Sequence, residues 1–235
     1  MSAAYGFAFL VLAALAGGSA AALWADLGWP ALGLVYFAAT LGLLSAAYFG
    51  AGPHVFLKRA TGRIPVAGWI LFGPYFLLNI LIFRIYRVYS SEPPCVELLP
   101  NLHFGRRLSP REARSATFLC VLDLAAEFGE VSPLRGVKAY HSLPALDATA
   151  PTREQLDEAV RWLREVVREG PVYVHCAMGH GRTACVVVAY LLAAGVVGTA
   201  AEGLRMMRAL RPGVRLNRAQ REALRPYEAA KATSA

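Results

Sequence analysis

The stretch Val172-Tyr173-Val174-His175-Cys176-Ala177-Met178-Gly179-His180-Gly181-Arg182-Thr183 runs from an apolar segment into a glycine-containing loop and out into an apolar helix. A continuous apolar run of this length suits a buried strand of a mainly parallel sheet. The helix from Thr183 to Ala194 is apolar nearly all round, which marks it as buried. Gly179 and Gly181 permit backbone conformations in which successive N–H groups converge on one point, and the helix N-terminus adds positive partial charge there. Arg182 has the planar fork that grips two oxygens of a phosphate. The loop Ala177–Arg182 is therefore a cradle for a dianion. Cys176 stands at its base, where the dipoles and the arginine favour a thiolate nucleophile. The Thr183 hydroxyl is expected to hydrogen-bond the sulfur and His175 to fix the loop from behind. His180 faces either substrate or solvent.

Working outward, Phe118-Leu119-Cys120-Val121-Leu122 is a second buried-strand run, and Thr152-Arg153-Glu154-Gln155 reads as a capping box. Behind that box Leu156, Ala159, Val160, Leu163, Val166 and Val167 form one helical face. Further helices are expected over about 199–210 and 217–230, split by Arg211-Pro212-Gly213. Strand, loop and helix in repetition give an α/β domain with a central, mainly parallel sheet flanked by helices.

The 235-residue chain is 56% hydrophobic and 17% charged, too apolar for one soluble globule. The excess lies at the front. Tyr5–Trp24 and Pro30–Gly52 each have spanning length and read as a transmembrane hairpin turning at Asp26–Pro30. A cleavable leader is the competing reading of the first run, which lacks a Lys/Arg n-region. The third apolar segment, Ile64–Phe83, has Lys58, Arg59 and Arg63 before it and Arg84 and Arg87 after it. Cytoplasmic loops collect such residues, so an interfacial or re-entrant helix fits better than a third crossing, although twenty residues suffice to span. Ser90-Ser91-Glu92-Pro93-Pro94 marks a linker. The expected organisation is a hairpin over 1–53, a basic connector with a membrane helix over 54–94, and a catalytic domain over 95–235, with the part from Ser90 onward able to fold alone.

Net charge is +8, shared evenly between residues 1–89 and 90–235. That suits phosphate esters or an acidic lipid surface. No basic run is interleaved with aromatics, so nucleic acid is not an expected partner. Arg205, Arg208, Arg211, Arg215, Arg218, Arg221 and Arg225 recur at helical spacing and read as a solvated face or a contact for anions. Cys95, Cys120, Cys176 and Cys185 show neither a CxxC pair nor clustering with histidine, so no disulfide or metal site is expected. Nothing in the sequence points to an oligomeric state.

The string HCxxGxxRT between an apolar strand and an apolar helix resembles the active-site motif of the cysteine-dependent protein tyrosine phosphatase superfamily, in its dual-specificity branch, over about residues 98–230. The resemblance implies a phosphoric monoester hydrolase that works through a phosphocysteine intermediate, without metal or other cofactor, with an aspartic acid on a mobile loop about thirty residues upstream of the cysteine. Asp147 in Leu143–Pro151 matches that position. A flexible loop beside the pocket can deliver a proton to the leaving group and then act as base towards water. Asp123, at a strand end, and Asp157, early in a helix, are weaker candidates.

Membrane attachment favours a phospholipid headgroup or an inositol phosphate as substrate over a phosphoprotein. Ala177 and His180 stand where tensin-like lipid phosphatases carry lysines, which weighs the other way. A non-catalytic phosphate-binding adaptor is a further alternative, opposed by the intact Cys176, Arg182 and Asp147. A rhodanese-like enzyme would leave the His-Cys start and the Arg-Thr end unexplained. Arginine outnumbers lysine 21 to 3, a hint of bacterial origin. The expected location is the bacterial inner membrane with the catalytic domain facing the cytoplasm.

Overall fold

The computed structural model describes residues 3–232. Ten α-helices are described: α1 (Ala3–Ala22), α2 (Trp24–Leu27), α3 (Leu32–Ala46), α4 (Val66–Tyr89), α5 (Pro110–Arg114), α6 (Ser132–Arg135), α7 (Arg153–Val166), α8 (Gly181–Ala193), α9 (Ala200–Leu210) and α10 (Arg218–Ala232). The strands are β1 (Cys95–Leu99), β2 (Leu102–Arg106), β3 (Cys120–Ala125), β4 (Ala139–Ala145) and β5 (Val172–Cys176), in the order β1-β2-β5-β3-β4. β1 is antiparallel to β2, and the other neighbours are parallel. The α/β fold with a mainly parallel sheet is as the sequence predicts. Every residue of β3 and β5 is buried, as continuous apolar runs in central strands require.

β3 starts two residues later than the predicted run and continues through Asp123, which is 1% exposed. A buried carboxylate in a strand needs a partner. It receives the Lys58 ammonium at 2.6 Å and the Tyr140 hydroxyl at 2.6 Å, and it accepts from Ala125 N–H at 2.9 Å. The predicted cap of α7 is present, with Thr152 accepting from Gln155 N–H and the apolar face buried. α8 is buried from Arg182 to Leu192. It packs against α7, α9 and α10, on the side of the sheet where Leu122, Val174 and Leu163 meet.

At the front, α1 packs along α3, and Ser45 Oγ donates to Gly6 O at 2.9 Å. Three segments are long and apolar enough to cross a membrane: Ala3–Ala22, Trp29–Ala51 and Val66–Tyr89. α4 continues through Pro74 and past the arginines expected to close it. Proline lacks the N–H that would bond the carbonyl four residues back. That carbonyl, Ile70 O, instead accepts from the Tyr36 hydroxyl of α3 at 2.6 Å, and Leu71 O accepts from Thr40 at 2.9 Å.

The connector is part of the globule. Lys58 and Asp123 are both withdrawn from water, and Gly62 O accepts from Glu130 N–H at 2.8 Å. At the other end, Tyr86 in the last turn of α4 and Glu92 just beyond it contact His180. Both ends of α4 are thus held by the same α/β domain, so a fragment starting at Ser90 lacks a partner for a buried carboxylate. Removing one member of a buried ion pair costs about 3–5 kcal/mol. Lys58→Ala should lower the thermal midpoint of the full-length protein in detergent markedly, and Lys58→Met with Asp123→Leu should recover part of the loss. Equal midpoints for wild type and Lys58→Ala would show that the pair does not hold the connector.

Candidate functional site

The loop after β5 is shaped from outside. Arg107 N–H donates to Ala177 O at 2.9 Å, and the Arg211 guanidinium donates to Met178 O at 3.1 Å and Gly179 O at 3.2 Å. In a trans peptide the carbonyl and the following N–H point in opposite directions. Holding these carbonyls outward therefore turns the N–H groups of 178–180 towards the cleft. Gly179 has φ +73°, and a Cβ there would lie 2.1 Å from Gly105 O, so only glycine fits. Gly181 opens α8 against Gln220.

Arg211 is fully buried. Its Nη2 also lies 3.1 Å from Glu92, which in turn is 2.7 Å from His180 Nε2. Burial works against the charge on Glu92, but hydrogen bonds from His180 and Gly213 N–H outweigh it and hold the carboxyl below its usual range. His180 lies below the ordinary histidine value, because burial, helped by Arg211 and Arg215, outweighs Glu92. The arginine stripe read from the sequence is accordingly not one surface. Arg211 braces the loop, Arg215 lines the cleft and Arg225 pairs with Glu222.

A cleft of about 320 Å³ is lined by Cys176, Ala177, Met178, His180, Gly181 and Arg182. Asp147 faces these residues from the loop after β4, and Phe83 of α4 closes a wall. His175 and Thr183 lie behind the cleft, fully buried. Thr183 Oγ1 has no hydrogen-bond partner among the described residues, so the bond to sulfur expected from the sequence is not made here. Arg182 is 2% exposed, and both its Nη atoms bond Glu127, at 2.8 and 2.7 Å. Nη1 also donates to Ala145 O, and Nη2 lies 3.0 Å from Asp147 Oδ1. Nε has no partner. A phosphate gripping the Nε–Nη2 edge therefore has to displace Asp147 from Nη2, and the Nη1–Nη2 edge is taken by Glu127.

The Asp147 loop is held by neighbours far away in sequence. Tyr48, at the end of the hairpin, donates to Asp147 O at 3.1 Å, and Asn217 donates to Ala148 O at 2.7 Å. Leu146 packs with Leu44, Phe56, Phe72 and Phe76. The competing aspartates are engaged elsewhere, Asp123 with Lys58 and Asp157 with Arg153 and Tyr227. Asp123, Glu130 and His175 bring potential ligand atoms within 4.8 Å of one another, and the cation beside them is the Lys58 ammonium.

Glu92, Glu127, Glu130, Arg211, Lys58 and Tyr48 were not singled out from the sequence as site residues. Glu127 and Glu130 did leave a signal: two carboxylates in a short stretch directly after a buried strand must be exposed or paired.

The family model described as "Dual specificity phosphatase, catalytic domain" matches residues 108–230. Among curated proteins, the tyrosine-protein phosphatase CDC14 homolog of Schizosaccharomyces pombe is 38% identical over 68 residues, which are 29% of this chain and 12% of that protein. The chain thus aligns with only a small part of that relative's length. The active form of Tk-PTP aligns at a TM-score of 0.50 and 33% identity, over 58% of this chain and 97% of its own. PTPMT1 in complex with PI(5)P shares the fold at a TM-score of 0.53 and 19% identity, over 60% of this chain and 99% of its own.

Behind the loop, His175 Nε2 and Glu130 Oε2 are 2.9 Å apart, an ion-pair contact without an aligned hydrogen bond. Burial opposes a charged ring, but the carboxylates of Glu130 and Asp123 outweigh it, so the pKa of His175 is raised. A raised folded-state value contributes stability that is complete below the unfolded value of about 6.5 and is lost as pH rises through the folded value. The thermal midpoint should therefore carry a falling component above about pH 6.5 that Glu130→Gln removes. Parallel midpoint-against-pH curves for wild type and variant would contradict this pairing.

Proposed function

Because the chain belongs to the dual specificity phosphatase catalytic-domain family, and is a phosphatase on that ground, we propose that it hydrolyses a phosphomonoester on a phospholipid headgroup or inositol phosphate at the membrane, through a phosphocysteine. The observation that carries the lipid reading is the wall of the cleft: Asn79, Ile82 and Phe83 of α4, an apolar helix of membrane type, stand across from Cys176. PTPMT1, which shares the fold, is solved with PI(5)P, so the fold admits a phosphoinositide.

In this reading the substrate phosphate enters the loop and takes the Nε–Nη2 edge of Arg182. It displaces Asp147 from Nη2, and Glu127 keeps the guanidinium aligned. Cys176 Sγ attacks phosphorus, and the bond to the leaving oxygen breaks as Asp147 protonates that oxygen. A water then attacks the thiophosphate with Asp147 taking its proton, the S–P bond breaks and inorganic phosphate leaves. Loop N–H groups, the α8 N-terminus and Arg182 stabilise the developing charge. Full-length protein offered lipid phosphates, inositol phosphates and phosphopeptides side by side should release phosphate fastest from a lipid. A preference for phosphopeptides would replace the lipid reading with a protein phosphatase.

Cys176→Ser should abolish turnover of p-nitrophenyl phosphate while retaining vanadate binding. Asp147→Asn should slow poor leaving groups by about 10²–10⁴-fold and good ones much less. Equal losses along a leaving-group series would assign the proton to another residue.

The same reading has α1 and α3 crossing the bilayer as a hairpin and α4 in the interface, with the catalytic domain in the cytoplasm. Its support is that Lys58 before α4 and Tyr86 in its last turn dock on one domain, together with the basic residues on both flanks. Reporter fusions after Arg59 and after Arg87 should both give cytoplasmic signals. A periplasmic signal after Arg87 would make α4 a third crossing.

A further inference from the structure

Beside the catalytic cleft lies a second cavity, of about 490 Å³, between α4 and the α/β domain. Phe83, Glu127 and Phe128 face both spaces, and the two rings, with centroids 5.5 Å apart, form the partition. Five arginines line it: Arg63, Arg84, Arg87, Arg107 and Arg135. Its two carboxylates are already engaged, Glu127 by Arg182 and Glu130 by His175. Arg107 stacks over Phe128 and donates to Gly129 O, yet its Nε, like that of Arg135, is buried without a partner among the described residues. Arg87 has a 3.5 Å contact with Glu112, whose carboxylate is already bonded by Arg106. Arg63 and Arg84 make no ion pair among the described residues. Arg63, Arg84 and Arg87 reach water, but the buried Nε donors of Arg107 and Arg135, without a partner among the described residues, call for an anion where the five converge.

The remaining wall indicates what carries that anion. Trp69, Phe76 and Ile80 of α4 face the cavity. The outer side of the same helix exposes Ile70, Leu77, Leu78 and Leu81, each more than half exposed. Arginines beside an exposed apolar helix match the boundary between headgroups and acyl chains. A soluble phosphate would use the arginines and leave the apolar flank unexplained.

We propose that this cavity is a second anion site that takes the phosphodiester of an anionic phospholipid, its tails lying along the outer face of α4. The site seats the catalytic domain on an acidic bilayer and is independent of which phosphomonoester reacts at Cys176.

The test is native mass spectrometry of the full-length protein released from detergent micelles doped with phosphatidylglycerol or phosphatidylcholine, with glycerol phosphate as soluble competitor. Wild type should retain phosphatidylglycerol over phosphatidylcholine, and Arg84→Gln with Arg135→Gln should weaken that retention about tenfold or more. Turnover of p-nitrophenyl phosphate in the same samples reports that the variant is folded and keeps a failed phosphatase reading distinct from a failed lipid site. Should the double variant lose turnover, Arg63→Gln, an exposed substitution, carries the same readout. Equal retention of the two lipids, or retention unchanged by the substitutions, would overturn the site. Full displacement by glycerol phosphate would make it a site for small soluble anions instead.

Discussion

The ion pair between Lys58 and Asp123 joins the apolar front of the chain to a buried strand of its sheet. Both groups are buried, and both are satisfied: Asp123 also accepts from Tyr140 and Ala125 N–H, and Lys58 also donates to Ala125 O. A buried pair of this kind is weak evidence for net stability, but either partner left alone is costly. The consequence is geometric. With Lys58 fixed under the sheet and Tyr86 fixed against His180, α4 has to lie along the domain, and its middle supplies Phe72 and Phe76 to the cluster that holds Leu146. The hairpin, the helix and the loop bearing Asp147 therefore form one packed unit.

The same rule governs the loop after β5. Two arginines are taken almost wholly out of water there, and each has its own carboxylate: Glu127 for Arg182, Glu92 for Arg211. Arg211 works on the backbone, turning carbonyls outward, whereas Arg182 keeps Nε without a protein partner at the cleft. A third carboxylate, Glu130, holds His175 beneath the loop. These groups hold the loop in shape, and a preorganised site loses little in reorganisation when charge develops.

Local sequence was sufficient for β5, the loop and α8, since an apolar run, two glycines and an apolar helix act through neighbouring residues and leave few alternatives. The cap at Thr152 and the buried face of α7 were legible for the same reason. Asp147 was placed by resemblance and spacing, and the structure puts it across the cleft from Cys176. Its restraint by Tyr48, 99 residues away, left no local trace. The backbone defect that Pro74 leaves in α4 is local, while the hydroxyl that offsets it comes from Tyr36 on another helix.

What the sequence by itself determined is an α/β domain in which a cysteine and an arginine flank a glycine-containing loop between a buried strand and a buried helix, behind segments long and apolar enough to enter a bilayer. Only the tertiary structure decided that Ser90–Pro94 is no free linker, that Arg211 is a buried brace rather than part of a solvated face, and that an apolar helix walls the cleft. Periodicity and spacing record what a residue's neighbours along the chain require. A buried charge is matched by whichever opposite charge the fold brings near, and that partner is a property of the packing rather than of any short stretch of sequence.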